Sequence, residues 1–256
     1  MCLLVAVEKG KLDYASIEAA FSNNQDGAGF AFVRDGEVIV EKGFFDERAL
    51  IKAYDQISET PHILHFRRST GGLVNTTNCH PFQPHHGVVF AHNGTLTSVK
   101  GDSHFSDTFY FSQGILTDIL RHGGTKLVES TSFPWMLGQA IGDNNKMAFL
   151  TSNNKLVIIN EEALCAHWEE KTDSKIWFSN YTYCYSSYQG KDRAKTNHHE
   201  IVDFELVNKD PDVMDEETWQ KYVDALVTNR DEDYHSPSMQ ERYHEYEQAY
   251  LEQCGI

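Results

Sequence analysis

Cysteine at position 2 and three polar segments, HFRRSTGG at 65–72, NCHPF at 78–82 with AHNGTL at 91–96, and SDTF at 106–109, hold the side chains that could do chemistry. A thiol attacks a carbonyl carbon as its thiolate and therefore needs a base. A free α-amino group, with an ordinary pKa of about 7.7–8.0, serves at neutral pH. If Met1 is removed, as the small second residue permits, Cys2 carries nucleophile and base on one residue. The tetrahedral intermediate of an amide then needs donors aimed at its oxygen, each worth about 2.7–4 kcal/mol. The Asn93 side-chain amide beside the Gly94 backbone N–H fits that role. Arg67 can grip a carboxylate in a fork and Asp107 can accept from an ammonium, which are the two charged ends of a free amino acid.

Each residue alone has an ordinary explanation. A buried strand accepts cysteine as a small apolar residue, and Asn-Gly is a common turn pair. A single Arg or Asp is usually a solvated surface charge. Together they supply every group that hydrolysis of an amino-acid amide demands, and they fall in loops or at strand ends, where functional residues concentrate. Four histidines, His80, His85, His86 and His92, lie within thirteen residues. Strand alternation does not bring them into the tetrahedral array that zinc requires, so no metal is expected.

The elements that must position these groups follow from hydrophobic period. CLLVAV at 2–7 is a continuous apolar run and predicts a buried strand that starts at the candidate nucleophile. A helix is predicted over 13–22, then a hairpin of strands 29–34 and 37–42 about an Asp35-Gly36 turn. A helix over 46–57 and strands over 62–66 and 88–92 come next, followed by helices over 107–120 and 133–141. Short strands are predicted at 147–150, 156–159, 176–178, 183–186 and 201–207. Strands at both ends with helices grouped between them imply two sheets covered by helix layers.

Composition narrows the function classes. The chain has 256 residues, 40% of them apolar, enough for a sizeable core. A net charge of −16 without Lys/Arg clusters argues against nucleic acid as a partner. No run approaches the roughly 18 apolar residues of a membrane span, and no basic flank precedes the N-terminal run, so a cytoplasmic protein is expected. The five cysteines, Cys2, Cys79, Cys165, Cys184 and Cys254, are scattered and form no C-x-x-C pair, which disfavours a disulfide framework. Residues 208–256 hold 13 acidic and 4 basic side chains, which sets a boundary near 208. Two helices, near 216–228 and 238–253, are expected in that stretch.

The order MC, NQDGAGFAF, HFRRST, NCHPF, AHNGTL and SD at 106–107 resembles the glutaminase domain of class II glutamine amidotransferases, of the N-terminal-nucleophile (Ntn) hydrolase type. The likeness is to the short stand-alone branch that includes γ-glutamyl amide hydrolases. Specific motifs cover residues 2 to about 120. The resemblance implies Cys2 as nucleophile with its α-amine as base, and Asn93 and Gly94 as oxyanion hole. It implies Arg67 and Asp107 as substrate clamps, with Thr70 and His80 supporting the substrate site. Departures occur at Leu3, Ala28, Gly71 and Phe109, where relatives often carry Gly, Trp, His and an acidic residue; these bear on substrate size rather than on amide chemistry.

The fold so implied is α+β, a four-layer αββα sandwich of two mainly antiparallel sheets with a C-terminal helical appendage. Its domains would be 1–207, the amidotransferase, and 208–256, an acidic extension. The activity implied is hydrolysis of glutamine through a cysteine thioester, without cofactor, ammonia passing to an acceptor on a synthase or ligase partner. An independent hydrolase of a γ-glutamyl amide, and a catalytically silent amino-acid-binding module, are the alternatives.

Overall fold

The computed structural model describes residues 2–184. The predicted strand after Cys2 is β1 (Leu3–Lys9), and it lies inside a six-stranded antiparallel sheet, order β3-β2-β4-β1-β10-β9. Its partners are β2 (Ala28–Arg34), β3 (Glu37–Phe44), β4 (His62–Phe66), β9 (His167–Glu170) and β10 (Lys175–Phe178). A four-stranded antiparallel sheet, order β5-β6-β7-β8, comprises β5 (Phe82–His85), β6 (Val88–Asn93), β7 (Lys146–Thr151) and β8 (Lys155–Ile159).

Successive side chains of a strand point to opposite faces, so an unbroken apolar run is buried on both. In β1, Leu3, Val5 and Val7 pack with Ile17 and Phe21 of α1 (Tyr14–Asn23) and Leu50 and Tyr54 of α2 (Glu47–Tyr54). Leu4 and Ala6 face the other way, onto Val89, Ala91, Ala148 and Leu150 of the second sheet. The outer face of that second sheet, with Phe90 and Phe149, packs on Leu120 and Val128 of α4 (Thr117–Val128) and Phe133 and Leu137 of α5 (Ser132–Ile141). The layers therefore run helix, sheet, sheet, helix, the α+β sandwich expected of an Ntn hydrolase.

Caps fix the helix starts. Asp13 accepts from Ser16 N at 2.8 Å and Asp46 from Ala49 N at 2.9 Å, each satisfying an orphan donor of the first turn. Ser106 does the same for α3 (Asp107–Tyr110), accepting from Phe109 N at 3.1 Å. The single helix predicted over 107–120 is α3, a π-helical turn (Phe111–Leu116) and α4 in succession. At the hairpin turn, Asp35 and Gly36 both take positive φ, 55° and 80°, as the tight turn requires.

The sequence reading missed two strands. β5 contains Pro84, and β9, HWEE, carries little apolar pattern. The strand predicted over 183–186 is not present in its described part, since Tyr183 and Cys184 belong to a turn closed by Cys184 N to Tyr181 O at 2.9 Å. The strand predicted over 201–207 and the acidic stretch with its two helices lie outside the described residues.

Candidate active site

Cys2 is positioned by the elements on either side of it. Its Sγ accepts from Arg68 N and donates to Arg68 O, both at 3.3 Å, just past the end of β4. Its carbonyl oxygen accepts from Asn180 Nδ2 at 2.7 Å, just past the end of β10. Burial pushes the thiol pKa up, partly offset by the positive chain terminus, the Arg68 backbone N–H and the Arg67 guanidinium. The thiol therefore needs a base before it can act as a nucleophile.

Arg67 is buried, and its guanidinium is engaged by the loop that follows it. It donates to Leu73 O at 2.9 Å, Gly71 O at 3.0 Å and Ser69 Oγ at 3.1 Å. Asp26 anchors the near side of this loop. Its carboxylate accepts from Ser69 N at 2.7 Å and its N–H donates to Arg67 O at 3.0 Å. Gly27, at φ +111°, makes the approach possible, because a Cβ there would stand 2.5 Å from Cys79 Sγ. Thr70 stands exposed at the loop tip.

From the loop the network continues to α3. Leu73 N donates to His104 O at 3.1 Å, Asn78 Nδ2 to the same oxygen at 2.6 Å, and Ser106 N to Asn78 Oδ1 at 2.9 Å. Asp107 follows, its two carboxylate oxygens accepting from Leu96 N at 2.5 Å and Thr108 N at 2.7 Å. His92 makes a second tie between β6 and α3. Its Nδ1 meets Thr108 Oγ1 at 2.8 Å and its Nε2 meets Asn145 Oδ1 at 2.9 Å.

Asn93 and Gly94 close the circuit. The Asn93 side chain is buried and donates to Ser179 Oγ at 2.9 Å, while its Oδ1 has no partner among the described residues. Gly94 has φ +147°, and a Cβ there would meet Asn145 Oδ1 at 2.2 Å, so only glycine fits. Ser179 neighbours Asn180, which holds Cys2. Hydrogen bonds and short steps along the chain thus lead from Cys2 past Arg67, Asp107, Leu96 and Asn93 to Ser179 and Asn180, and back to Cys2.

His80 lies in the floor. Its ring packs on His65, centroids 4.0 Å apart, and edge-on to Phe82 at 4.6 Å, with both nitrogens buried and without partners among the described residues. His65 Nε2 meets His92 O at 3.0 Å. Burial drives His80 well below the ordinary histidine range and His65 down to about 3, which keeps both rings neutral. Of the sequence-predicted residues, Cys2, Arg67, Asn93 and Asp107 lie along this series with Gly94 next to Asn93, Thr70 is exposed in the loop after Arg67, and His80 stacks on His65. The sequence reading did not single out Asp26, Ser179 or Asn180. Asp26 stood inside a quoted motif, whereas Ser179 and Asn180 are separated from their partners by 86 and 178 residues and carry no local signal.

Residues 11–112 match the family model of class-II glutamine amidotransferases. A probable glutamine amidotransferase of Saccharomyces cerevisiae, DUG3, is 49% identical over 37 residues, which is 14% of this chain and 10% of that protein. Among solved structures, glutamine phosphoribosylpyrophosphate amidotransferase of B. subtilis, complexed with ADP and GMP, covers 70% of this chain at 17% identity and a TM-score of 0.46. An allosteric regulatory enzyme of purine biosynthesis covers 70% at 15% identity and a TM-score of 0.44. The chain spans only 10% of that curated relative and 41% and 42% of those two structures.

Proposed function

We propose that this chain, whose residues 11–112 match the family model of class-II glutamine amidotransferases, hydrolyses the side-chain amide of glutamine with Cys2 as an N-terminal nucleophile. The observation that carries this reading is that hydrogen bonds and short runs of chain tie the segments bearing Cys2, Arg67, Asp107 and Asn93 to one another: Arg68 N to Cys2 Sγ, Arg67 to Leu73 O, Leu96 N to Asp107 and Asn93 to Ser179.

In this mechanism removal of Met1 frees the Cys2 amine, which takes the thiol proton. The thiolate adds to the γ-carbonyl carbon, and the carbonyl π pair moves to oxygen, where Asn93 Nδ2 and the Gly94 N–H stabilise it. Collapse of the intermediate breaks the C–N bond, the ammonium of Cys2 returns its proton to the leaving nitrogen, and ammonia departs from a thioester. Water, deprotonated by the same amine, adds to the thioester and releases glutamate and the thiol. Arg67 binds the substrate carboxylate and Asp107 its ammonium, Thr70 borders the substrate, and His80 supports the floor. No cofactor takes part.

The wider role follows from the chemistry of the product. Ammonia released into neutral water is mostly protonated and no longer nucleophilic, so the acceptor is placed on a synthase or ligase partner in the cytoplasm. The amidotransferase domain is assigned to 1–207 and the acidic extension to 208–256, whose charge suits a basic partner surface. Among the described residues no helix is long and apolar enough to cross a membrane.

Glutamate release by purified protein whose intact mass lacks Met1 tests the reading. Cys2→Ser, and a variant with one residue appended before Cys2, are each expected to remain folded and to release no glutamate above background. Near wild-type release by either variant overturns the N-terminal mechanism.

A further inference from the structure

Two adjacent residues past the end of β10 hold both halves of the proposed machinery. Ser179 is fully buried; its N–H donates to Leu4 O at 2.9 Å and its hydroxyl accepts from Leu4 N at 2.9 Å, which extends the ladder between β10 and β1 by one residue. The same hydroxyl is the sole hydrogen-bond partner of the Asn93 carboxamide among the described residues, since Asn93 Oδ1 has none. Asn180 donates from Nδ2 to Cys2 O at 2.7 Å, and its Oδ1 is fixed by Thr182 N at 3.0 Å and Thr182 Oγ1 at 2.8 Å. Cys2 opens a strand of one sheet and Asn93 ends a strand of the other, so their separation would otherwise depend on how the two sheets pack.

We propose that Ser179 and Asn180 are positioning residues that set the nucleophile and the oxyanion donor on one mount, Ser179 by fixing the Asn93 carboxamide and Asn180 by fixing the Cys2 backbone. This rests on the glutaminase reading above. A carboxamide held by a single bond rotates once that bond is lost, and an oxyanion donor stabilises a transition state only while it is aimed. Ser179 therefore acts through Asn93, and deleting both must cost no more catalysis than deleting Asn93 alone.

The test is a double-mutant cycle on the full chain lacking Met1. Ser179→Ala is expected to lower kcat for glutamine about ten- to hundredfold with KM within about twofold, and Asn93→Ala about 10²- to 10³-fold. The double variant should match Asn93→Ala. Iodoacetamide should alkylate Cys2 at the wild-type rate in Ser179→Ala, which separates a misaimed oxyanion donor from a damaged nucleophile. Asn180→Ala should lower kcat and multiply with Asn93→Ala, because it acts on the other half. If Ser179→Ala does not fold, Ser179→Cys keeps the volume, weakens the hydrogen bond and should show the same pattern. Multiplicative losses for Ser179 and Asn93, or wild-type kcat in a folded Ser179 variant, overturn the proposal. If the wild type releases no glutamate, the glutaminase reading fails on its own. The Ser179–Asn93 pairing is then read from melting temperatures, where sub-additive shifts support it and additive shifts reject it.

Discussion

The layer between the two sheets changes character along its length. Its middle is apolar, with the alanines Ala6, Ala31, Ala91 and Ala148 packed among Leu4, Ile63, Leu150 and the fully buried Trp177. At one end the same strands carry His65 and Asn93, with Cys2 just before β1 and Ser179 just beyond β10, and hydrogen bonds replace interdigitation. In the middle, position follows from shape, and lost atoms leave a cavity that costs stability without removing a hydrogen bond. At the end, position follows from direction, and one missing donor leaves a buried polar group exposed to the full desolvation cost. Among the described residues, His65 Nδ1, both His80 nitrogens and Asn93 Oδ1 are buried without partners at that end, as is Asn24 Oδ1 at the end of α1. Apolar packing and buried polar contacts are therefore divided between two segments of one layer, and the proposed chemistry falls to the second.

The largest test of that division is Trp177→Ala. It removes the biggest side chain of the apolar segment, together with its Nε1 bond to Glu161 O at 3.0 Å, and should cost about 3–5 kcal/mol of unfolding free energy in a denaturant titration. Activity per folded molecule should hold. Loss of activity without loss of stability would show that the two segments are not separable.

Arg67→Met probes the polar end and should give the opposite signature. Weakened binding worth about 1.5–3 kcal/mol is expected, seen as slower covalent labelling of Cys2 by a diazo-ketone analogue of glutamine. Labelling at the wild-type rate would mean that the substrate carboxylate is held elsewhere.

The smallest effect is on pH dependence. His65, held down to about 3 by burial, stays neutral in the fold, while in the unfolded chain it takes a proton below about 6.5. The unfolded state thus binds more protons in this window, so stability is full above pH 6.5 and falls as pH drops towards 3. Each such histidine contributes about 1.4 kcal/mol per pH unit there, and His65→Gln should reduce the slope of stability against pH by one proton between pH 6 and 5. An unchanged slope would mean that His65 is not a source of the acid sensitivity.

The apolar segment was legible in the sequence because period and composition both report it: CLLVAV could only be a strand buried on two faces. The site loops were legible because Arg, Asn-Gly, Asp and a second-position Cys are individually common but together demand a shared purpose. What escaped was of another kind. Ser179 and Asn180 are ordinary residues in a polar run after WF, and their role exists only because β10 pairs with β1. β9 is polar because it is a sheet edge, so hydrophobic pattern could not reveal it. The strand expected at 183–186 rests on a short apolar run alone. Tyr183 instead stacks on Phe178, centroids 3.8 Å apart, from within a turn.

The guanidinium of Arg67 adds a consequence for ligand binding. Its fork is already occupied by the oxygens of Gly71, Leu73 and Ser69. A carboxylate that takes the fork enters by exchange, so measured affinity is a difference between two hydrogen-bonded states. The same event releases the 69–73 segment from its tether. Occupancy at Arg67 and freedom of that segment are thermodynamically linked, and a change in either the ligand or the loop sequence shifts both.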